Sequence, residues 1–137
     1  MRVNCNSREA HIEKKYLDYE ILIVIEDRST IEILRCFFNI RGFSSIGIRT
    51  GTKSLKQINM FPPKLVLLSV DLPDISGFEI CTKIKSNEYF KNVKVYYLVS
   101  IFDSNFFNKL KETKADGFFE IPFNFYRFEI LLKHLKK

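Results

Sequence analysis

Short runs of consecutive apolar residues alternate along the chain with segments in which apolar residues recur every three or four positions. These predicted strands lie at 21–25, 44–50, 65–68, 93–99 and 117–119, and the segments 21–25 and 65–68 consist of apolar residues alone. Such runs are typical of strands buried on both faces of a parallel sheet. The segments with helical spacing lie at 31–40, 52–60, 78–85, 103–114 and 124–136. Five strands alternating with five helices predict an α/β fold, a doubly wound five-stranded parallel sheet with helices on both faces in three α/β/α layers.

Residues with strong local preferences divide this pattern into elements. Ser29 with Glu32 three residues on is a capping box, which predicts a helix start, and Gly42 is a plausible stop for the same helix. The Pro62-Pro63 pair must end the second helix, because proline cannot continue one. Residues 1–19 precede the first strand and are predicted to be an N-terminal extension, either a frayed tail or an extra helix. Residues 20–137 are predicted to form the domain.

Composition restricts the class of protein without identifying it. Of the 137 residues, 46% are hydrophobic and 28% are charged, as in globular proteins. No apolar run approaches the roughly 18 residues that span a bilayer, and the N-terminus lacks the apolar core of a secretory signal. The three cysteines are far apart and have no metal-ligand spacing, which favours reduced thiols and a cytoplasmic location. The net charge of +6 would suit nucleic acid, an anionic surface or an acidic protein partner.

Candidate chemistry is sought at the ends of the strands, because ligands of open α/β sheets bind beyond the carboxyl ends. The residues that follow the first strand are Glu26 and Asp27, and Ser69 follows the third. Val99 lies at the end of the fourth strand and Ile121 follows the fifth. Two of these positions are apolar, which is unusual for a reactive edge.

The stretch from Pro63 to Glu79, PKLVLLSVDLPDISGFE, combines an apolar strand with a loop that contains a Leu-Pro step and a glycine. In this order and spacing the chain resembles the response-regulator receiver (CheY-like) domain of two-component signalling. Residues 21–24, the Gly42-Phe43 pair and the Pro122-Phe123 pair match the family as well. The resemblance extends from about Glu20 to the C-terminus and implies the flavodoxin-like fold.

The resemblance places three reactive positions of the family on residues of a different chemical type. The phosphoacceptor aspartate corresponds to Ser69, the conserved Thr or Ser to Val99, and the conserved Lys to Ile121. An aspartyl phosphate needs a carboxylate nucleophile and cations that hold the phosphoryl oxygens. The sequence therefore predicts a degenerate receiver, or pseudo-receiver, that has lost the acceptor, the hydroxyl switch and the lysine.

The metal-binding positions of the family are retained in part. Its acid pair corresponds to Ile25 and Glu26 without a gap, or to Glu26 and Asp27 after a slip of one residue. The carbonyl ligand corresponds to Asp71. Because hard cations prefer oxygen ligands, a weak Mg²⁺ site at Glu26, Asp27 and Asp71 is conceivable, although no cofactor is expected.

The last three elements carry many aromatic and basic residues, and in the receiver family this region is the usual output and dimer surface. The family's switch aromatic corresponds to Phe118, whose ring is expected to be buried because it lacks a tyrosine hydroxyl. An aromatic patch with bases around it is typical of an interface. The predicted interaction surface consists of Phe118, Lys109, Lys111, Lys114 and Arg127.

The sequence thus favours a stand-alone receiver in phosphorelay-type signalling that is not an enzyme and acts by phosphorylation-independent protein–protein interaction. Its expected partner is a signalling protein or a second copy, bound through the fourth helix, fifth strand and fifth helix. One alternative is an active receiver that accepts phosphate at Ser69 or a nearby acid. Another is a basic nucleic-acid-binding protein, which the charge permits but no recognised motif supports. No membrane partner is expected.

Overall fold

A computed structural model describes residues 19–101 and 103–135, so the predicted extension at 1–19 lies outside the described residues except for Tyr19. Five strands are present in the described ranges, and each lies within one residue of a predicted run or inside it. They are β1 (Ile21–Val24), β2 (Ser45–Ile48), β3 (Leu65–Ser69), β4 (Lys94–Val99) and β5 (Gly117–Glu120).

Five α-helices alternate with these strands in the described ranges. They are α1 (Arg28–Ile40), α2 (Gly51–Met60), α3 (Gly77–Lys85), α4 (Ser104–Glu112) and α5 (Phe125–Leu135). The predicted start of α1 was wrong, because Asp27 and not Ser29 caps this helix by accepting a hydrogen bond from the Thr30 N–H. The predicted stop was right, since Gly42 follows the helix with a φ of 85°, a conformation that glycine adopts at little cost.

The described strands form one parallel sheet in the order β2-β1-β3-β4-β5. In the register of the central strands, Val24 lies opposite Leu68, and Ser69 lies opposite Leu98. The chain leaves β1 toward one edge and returns to its other side as β3. The predicted doubly wound α/β fold is therefore confirmed, and its topological switch point lies between β1 and β3.

Two apolar clusters cover the two faces of the sheet. On one face, buried residues of α2, α3 and α4 pack against the strands, among them Ile58, Ile80 and Phe106. On the other face, α1 and α5 pack through residues such as Phe38 and Phe128. Because both faces are covered, the strands tolerate the continuous apolar runs seen in the sequence.

Two further findings bear on the sequence-based expectations. Cys81 is a free, buried thiol as expected, whereas Cys36 is disulfide-bonded, so the expectation of reduced thiols was wrong at that position. Among the described residues no helix is both long enough and apolar enough to cross a membrane.

Candidate functional site

The carboxyl ends of the parallel strands bring the residues of the predicted site to one edge of the sheet. Ser69 is the last residue of β3, Val99 is the last residue of β4, and Asp27 lies three residues beyond β1. Ile121 follows β5, and its N–H donates a hydrogen bond of 2.9 Å to the Val99 carbonyl. The topology thus brings these positions together as predicted, and their side chains decide what this edge can do.

Ser69 is buried, and its hydroxyl forms hydrogen bonds with the loop that follows it. The Oγ donates to the Asp71 carbonyl at 3.2 Å and accepts from the Asp71 N–H at 3.2 Å. In the described ranges no side chain that could act as a base hydrogen-bonds to this hydroxyl. A serine needs such a base to become a nucleophile, so the observed geometry holds a loop and does not activate Ser69.

The side chains of Val99 and Ile121 pack into the two apolar clusters, one on each face of the sheet. Val99 is only 2% exposed and belongs to the cluster on the α3 and α4 side. Ile121 is half-buried and packs against the cluster on the α1 and α5 side. Neither side chain can donate a hydrogen bond to an anion, so this part of the edge offers apolar packing in place of polar contacts.

The residues of the predicted weak metal site, Glu26, Asp27 and Asp71, all lie on the exposed rim, and the Asp71 carbonyl already accepts a hydrogen bond from the Ser69 hydroxyl. Asp27 accepts hydrogen bonds from the N–H and Oγ1 of Thr30, at 3.2 and 2.5 Å. These bonds, that from the hydroxyl above all, lower the pKa of Asp27 and commit its carboxylate to capping α1. Within residues 19–101 and 103–135 no group of three or more His, Cys, Asp or Glu side chains could hold a metal ion. The weak site that combines Glu26 and Asp27 with the Asp71 carbonyl stays a prediction.

Asp74 has a structural role that the sequence pattern does not indicate. Its carboxylate accepts hydrogen bonds from the N–H groups of Gly51 and Thr52, both at 2.8 Å, and from the Thr52 hydroxyl. These bonds lower the pKa of Asp74 well below the usual range of a carboxyl. Asp74 therefore ties the β3–α3 loop to the first turn of α2. The only signal in the sequence is that Asp74 is an acid, a residue type that caps helix starts. Its partners in α2 are more than twenty residues away, so the sequence does not show which helix it caps.

The residues of the predicted interaction surface lie on or next to α4, β5 and α5. Lys111, Lys114 and Arg127 are exposed, whereas Lys109 is half-buried and lies 3.6 Å from the Glu112 carboxylate. The Phe118 ring is half-buried against Phe106 and Phe107, with ring centroids 5.3 and 5.8 Å apart. The expectation of a buried Phe118 ring was therefore right only in part.

Aromatic residues in the same region divide between core and surface. Phe106, Phe119 and Phe128 are buried, whereas Phe107 is 45% and Tyr126 is 70% exposed. The phenylalanines thus serve the core as well as the surface, and the exposed rings are available for contact with another molecule.

Comparison with known families supports the interpretation that the residues suggested. Residues 21–133 match the family model described as the response regulator receiver domain. The chain belongs to the response regulator receiver domain family. It is thus a receiver domain of the kind used in two-component signalling, as its five-stranded fold and strand order indicate.

Relatives of this receiver domain are distant in sequence. It is 20% identical over 108 residues to the polar-differentiation response regulator DivK of Brucella ovis, an alignment that covers 79% of this chain and 88% of the relative. A DivK of Brucella anthropi is 19% identical over the same length and the same shares of both chains.

Solved structures with similarly low sequence identity show the same fold. The signal receiver domain of a signal transduction histidine kinase from Syntrophus aciditrophicus is 24% identical, with a TM-score of 0.75, over 87% of this chain and 88% of that one. The chemotaxis protein CheY4 of Vibrio cholerae is 20% identical, with a TM-score of 0.74, over 86% of this chain and 96% of that one. At these identities the solved structures establish only the fold of this receiver. The chemistry at the carboxyl ends of its strands has to be inferred from its own residues.

Proposed function

We propose that this receiver domain acts as a pseudo-receiver, binding a protein partner without accepting phosphate at Ser69. The observation that carries the proposal is the identity of the three strand-end residues Ser69, Val99 and Ile121. A hydroxyl, an isopropyl group and a butyl group stand where phosphotransfer would need a carboxylate, a hydrogen-bond donor and a cation. On this proposal the domain is not an enzyme and needs no cofactor.

The surroundings of Ser69 support the same conclusion. Its hydroxyl already donates to one backbone group and accepts from another, and Asp27 is committed to capping α1. A phosphoryl group at this position would meet the apolar side chains of Val99 and Ile121 rather than donors. The charge of the transferred group would therefore remain uncompensated, which is costly in a partly desolvated site.

Without a phosphoryl trigger, the surface of the domain must be recognised in the conformation that is already present. Lys111, Lys114 and Arg127 present exposed positive charge beside the exposed rings of Phe107 and Tyr126. A surface of this kind fits an acidic protein surface, either on a signalling partner or on a second copy of the chain. We further propose a cytoplasmic location for this interaction.

Charge reversal on the interaction surface tests the proposal. Lys111→Glu/Lys114→Glu should weaken self-association in sedimentation velocity, or capture of a partner from the native host, and should reduce the salt dependence of that association. Lys83→Glu/Lys91→Glu makes the same change of charge at two exposed positions outside this surface and should leave association unchanged.

The same association is then measured after treatment with acetyl phosphate and Mg²⁺. Equal binding before and after treatment is the expected result. Binding that rises only after treatment would favour an active receiver, which is the main alternative. Binding to an oligonucleotide that both double variants weaken equally would instead favour a nucleic-acid-binding protein.

A further inference from the structure

A cleft opens at the β2 side of the same sheet edge, away from Ser69. It has a volume of about 750 Å³ and is lined by residues that follow β1 and β2 and by one side of α2. Crevices at the carboxyl ends of parallel strands are where α/β proteins bind ligands, and this volume is in the range of small-molecule sites. Nothing in the sequence pattern indicated this cleft, because its lining residues are spread over almost fifty positions.

Four cationic side chains from separate parts of the fold meet on the lining of this cleft. Arg28 lies at the start of α1, Arg49 follows β2, and Lys53 and Lys56 lie on α2. Glu26 is the one carboxylate among the lining residues. The lining is therefore strongly positive, and its charges point to an anionic ligand.

Within the described ranges none of these four side chains forms a close ion pair with a carboxylate, although Arg49 interacts electrostatically with the Asp27 carboxylate. The ion pairs found there join other residues, namely Arg41 with Glu129, Lys64 with Glu20, Lys85 with Asp116, and Lys109 with Glu112. Lys53 and Lys56 are three residues apart on α2, a spacing at which like charges destabilise a helix. An anion in the cleft would reduce the repulsion between these two lysines.

The backbone around the cleft orients Arg49, and the N–H groups at the start of α2 do not compete for the ligand. The Arg49 Nε donates to the Glu26 carbonyl at 2.7 Å, which fixes the direction of its guanidinium group. The N–H groups of Gly51 and Thr52 at the start of α2 are taken by Asp74. An anion in the cleft would thus be held by the side chains of the arginines and lysines.

We propose that this cleft binds a small polyphosphate anion of nucleotide size. Two or more phosphate groups would match the several cations, and guanidinium groups bind phosphate oxygens in pairs. The apolar side chains of Ile48, Met60 and Pro73 on the same lining would contact an organic part of the ligand. The cations converge on a concave cleft of limited volume, which fits a small molecule better than an extended nucleic acid.

Isothermal titration with ATP and with inorganic pyrophosphate, both without divalent cations, tests the proposal on the full chain. Saturable binding of either probe is expected, and tighter binding of ATP would indicate a contribution from the apolar lining. Lys53→Gln/Lys56→Gln should weaken the binding by about tenfold or more, because it removes two charged donors. Glu26→Gln should strengthen it.

A matched control distinguishes this site from diffuse attraction by a basic protein. Lys83→Gln/Lys91→Gln removes the same charge from two exposed positions outside both the cleft and the interaction surface, and should change the affinity by less than about twofold. The proposal is overturned if neither probe binds saturably, or if both double variants weaken the binding equally. It is also overturned if a single-stranded oligonucleotide binds tightly and the cleft variant does not affect that binding. These outcomes are independent of whether Ser69 accepts phosphate.

Discussion

Two corners of one sheet edge differ sharply in chemistry although the same topology builds both. At the β3–β4–β5 corner, the side chains of Val99 and Ile121 pack into the apolar clusters, and the Ser69 hydroxyl is hydrogen-bonded to the loop that follows it. At the β2 corner, Arg28, Arg49 and two lysines of α2 surround an open cleft. The comparison shows that a parallel sheet supplies a crevice, whereas the strand-end side chains decide whether that crevice is reactive, closed or charged.

The largest effect is expected at the β3–β4–β5 corner, when Gly77, the first residue of α3, is replaced by a larger residue. A Cβ at this position would lie 2.2 Å from the Ser69 carbonyl oxygen and 2.9 Å from the Val70 Cα, and both are backbone atoms that cannot move alone. Gly77→Ala should therefore lower the free energy of unfolding by about 3 kcal/mol, measured by urea denaturation. Thr82→Ala, at an exposed position of the same helix, should change it by less than about 0.5 kcal/mol. An equal effect of the two variants would show that the backbone of Ser69 and Val70 does not pack closely against Gly77.

The next change places an acid at the closed corner. Ser69→Asp should cost about 2 kcal/mol of unfolding free energy, because it buries a carboxylate beside apolar side chains and removes the donor to the Asp71 carbonyl. It should not restore phosphorylation, since Val99 and Ile121 still provide no donor. Efficient labelling of the single variant by acetyl phosphate, read by intact mass, would show that the roles assigned to these two residues are wrong.

Asp74 connects the two corners, and its contribution should depend on pH. Its folded-state pKa is depressed by hydrogen bonds from Thr52 and Gly51, so the stability it contributes is present above its unfolded pKa of about 3.9. That stability is lost as the pH falls from there toward the folded pKa. Asp74→Ala should lower the Tm clearly at pH 7 and by less at pH 3, in thermal scans of both proteins. A difference in Tm that is as large at pH 3 would mean that the tie does not require the ionised carboxylate.

The smallest effect is expected from the cations of the open corner in the absence of a ligand. Lys53→Gln/Lys56→Gln relieves repulsion between like charges on α2 and should raise the free energy of unfolding by about 0.3 kcal/mol at low salt. The gain should vanish at high salt, because screening removes the repulsion in the wild type as well. Lys83→Gln/Lys91→Gln should show no such gain, and a stability loss in the cleft variant would mean that its lysines already have partners.

Much of the fold could be predicted because its signals are local. The unbroken apolar run at 21–25 reports a buried parallel strand, and the helical spacing after it reports the helix that covers the sheet. The positions of Ser69, Val99 and Ile121 at the edge followed from the same alternation. The start of α1 was missed by two residues because two possible caps, Asp27 and Ser29, lie close together and the choice depends on backbone geometry.

Contacts between distant parts of the chain could not be predicted in the same way. The hydrogen bonds from Asp74 to α2 join residues more than twenty positions apart, and the cleft gathers cations from two helices and the loop after β2. The extent to which Phe118 is covered also depends on Phe106 and Phe107 of a neighbouring helix. Such features are set by how the elements pack, which no periodicity along one segment reports.

The central claim is that this receiver domain does not accept phosphate at its acceptor position. Intact-mass measurement after incubation with acetyl phosphate and Mg²⁺ tests it directly, with a receiver that has an intact acceptor aspartate treated in parallel to show that the donor is active. The account predicts an unchanged mass for this chain and the addition of one phosphoryl group to the reference receiver. One phosphoryl group on this chain, lost in Ser69→Ala, would contradict the account.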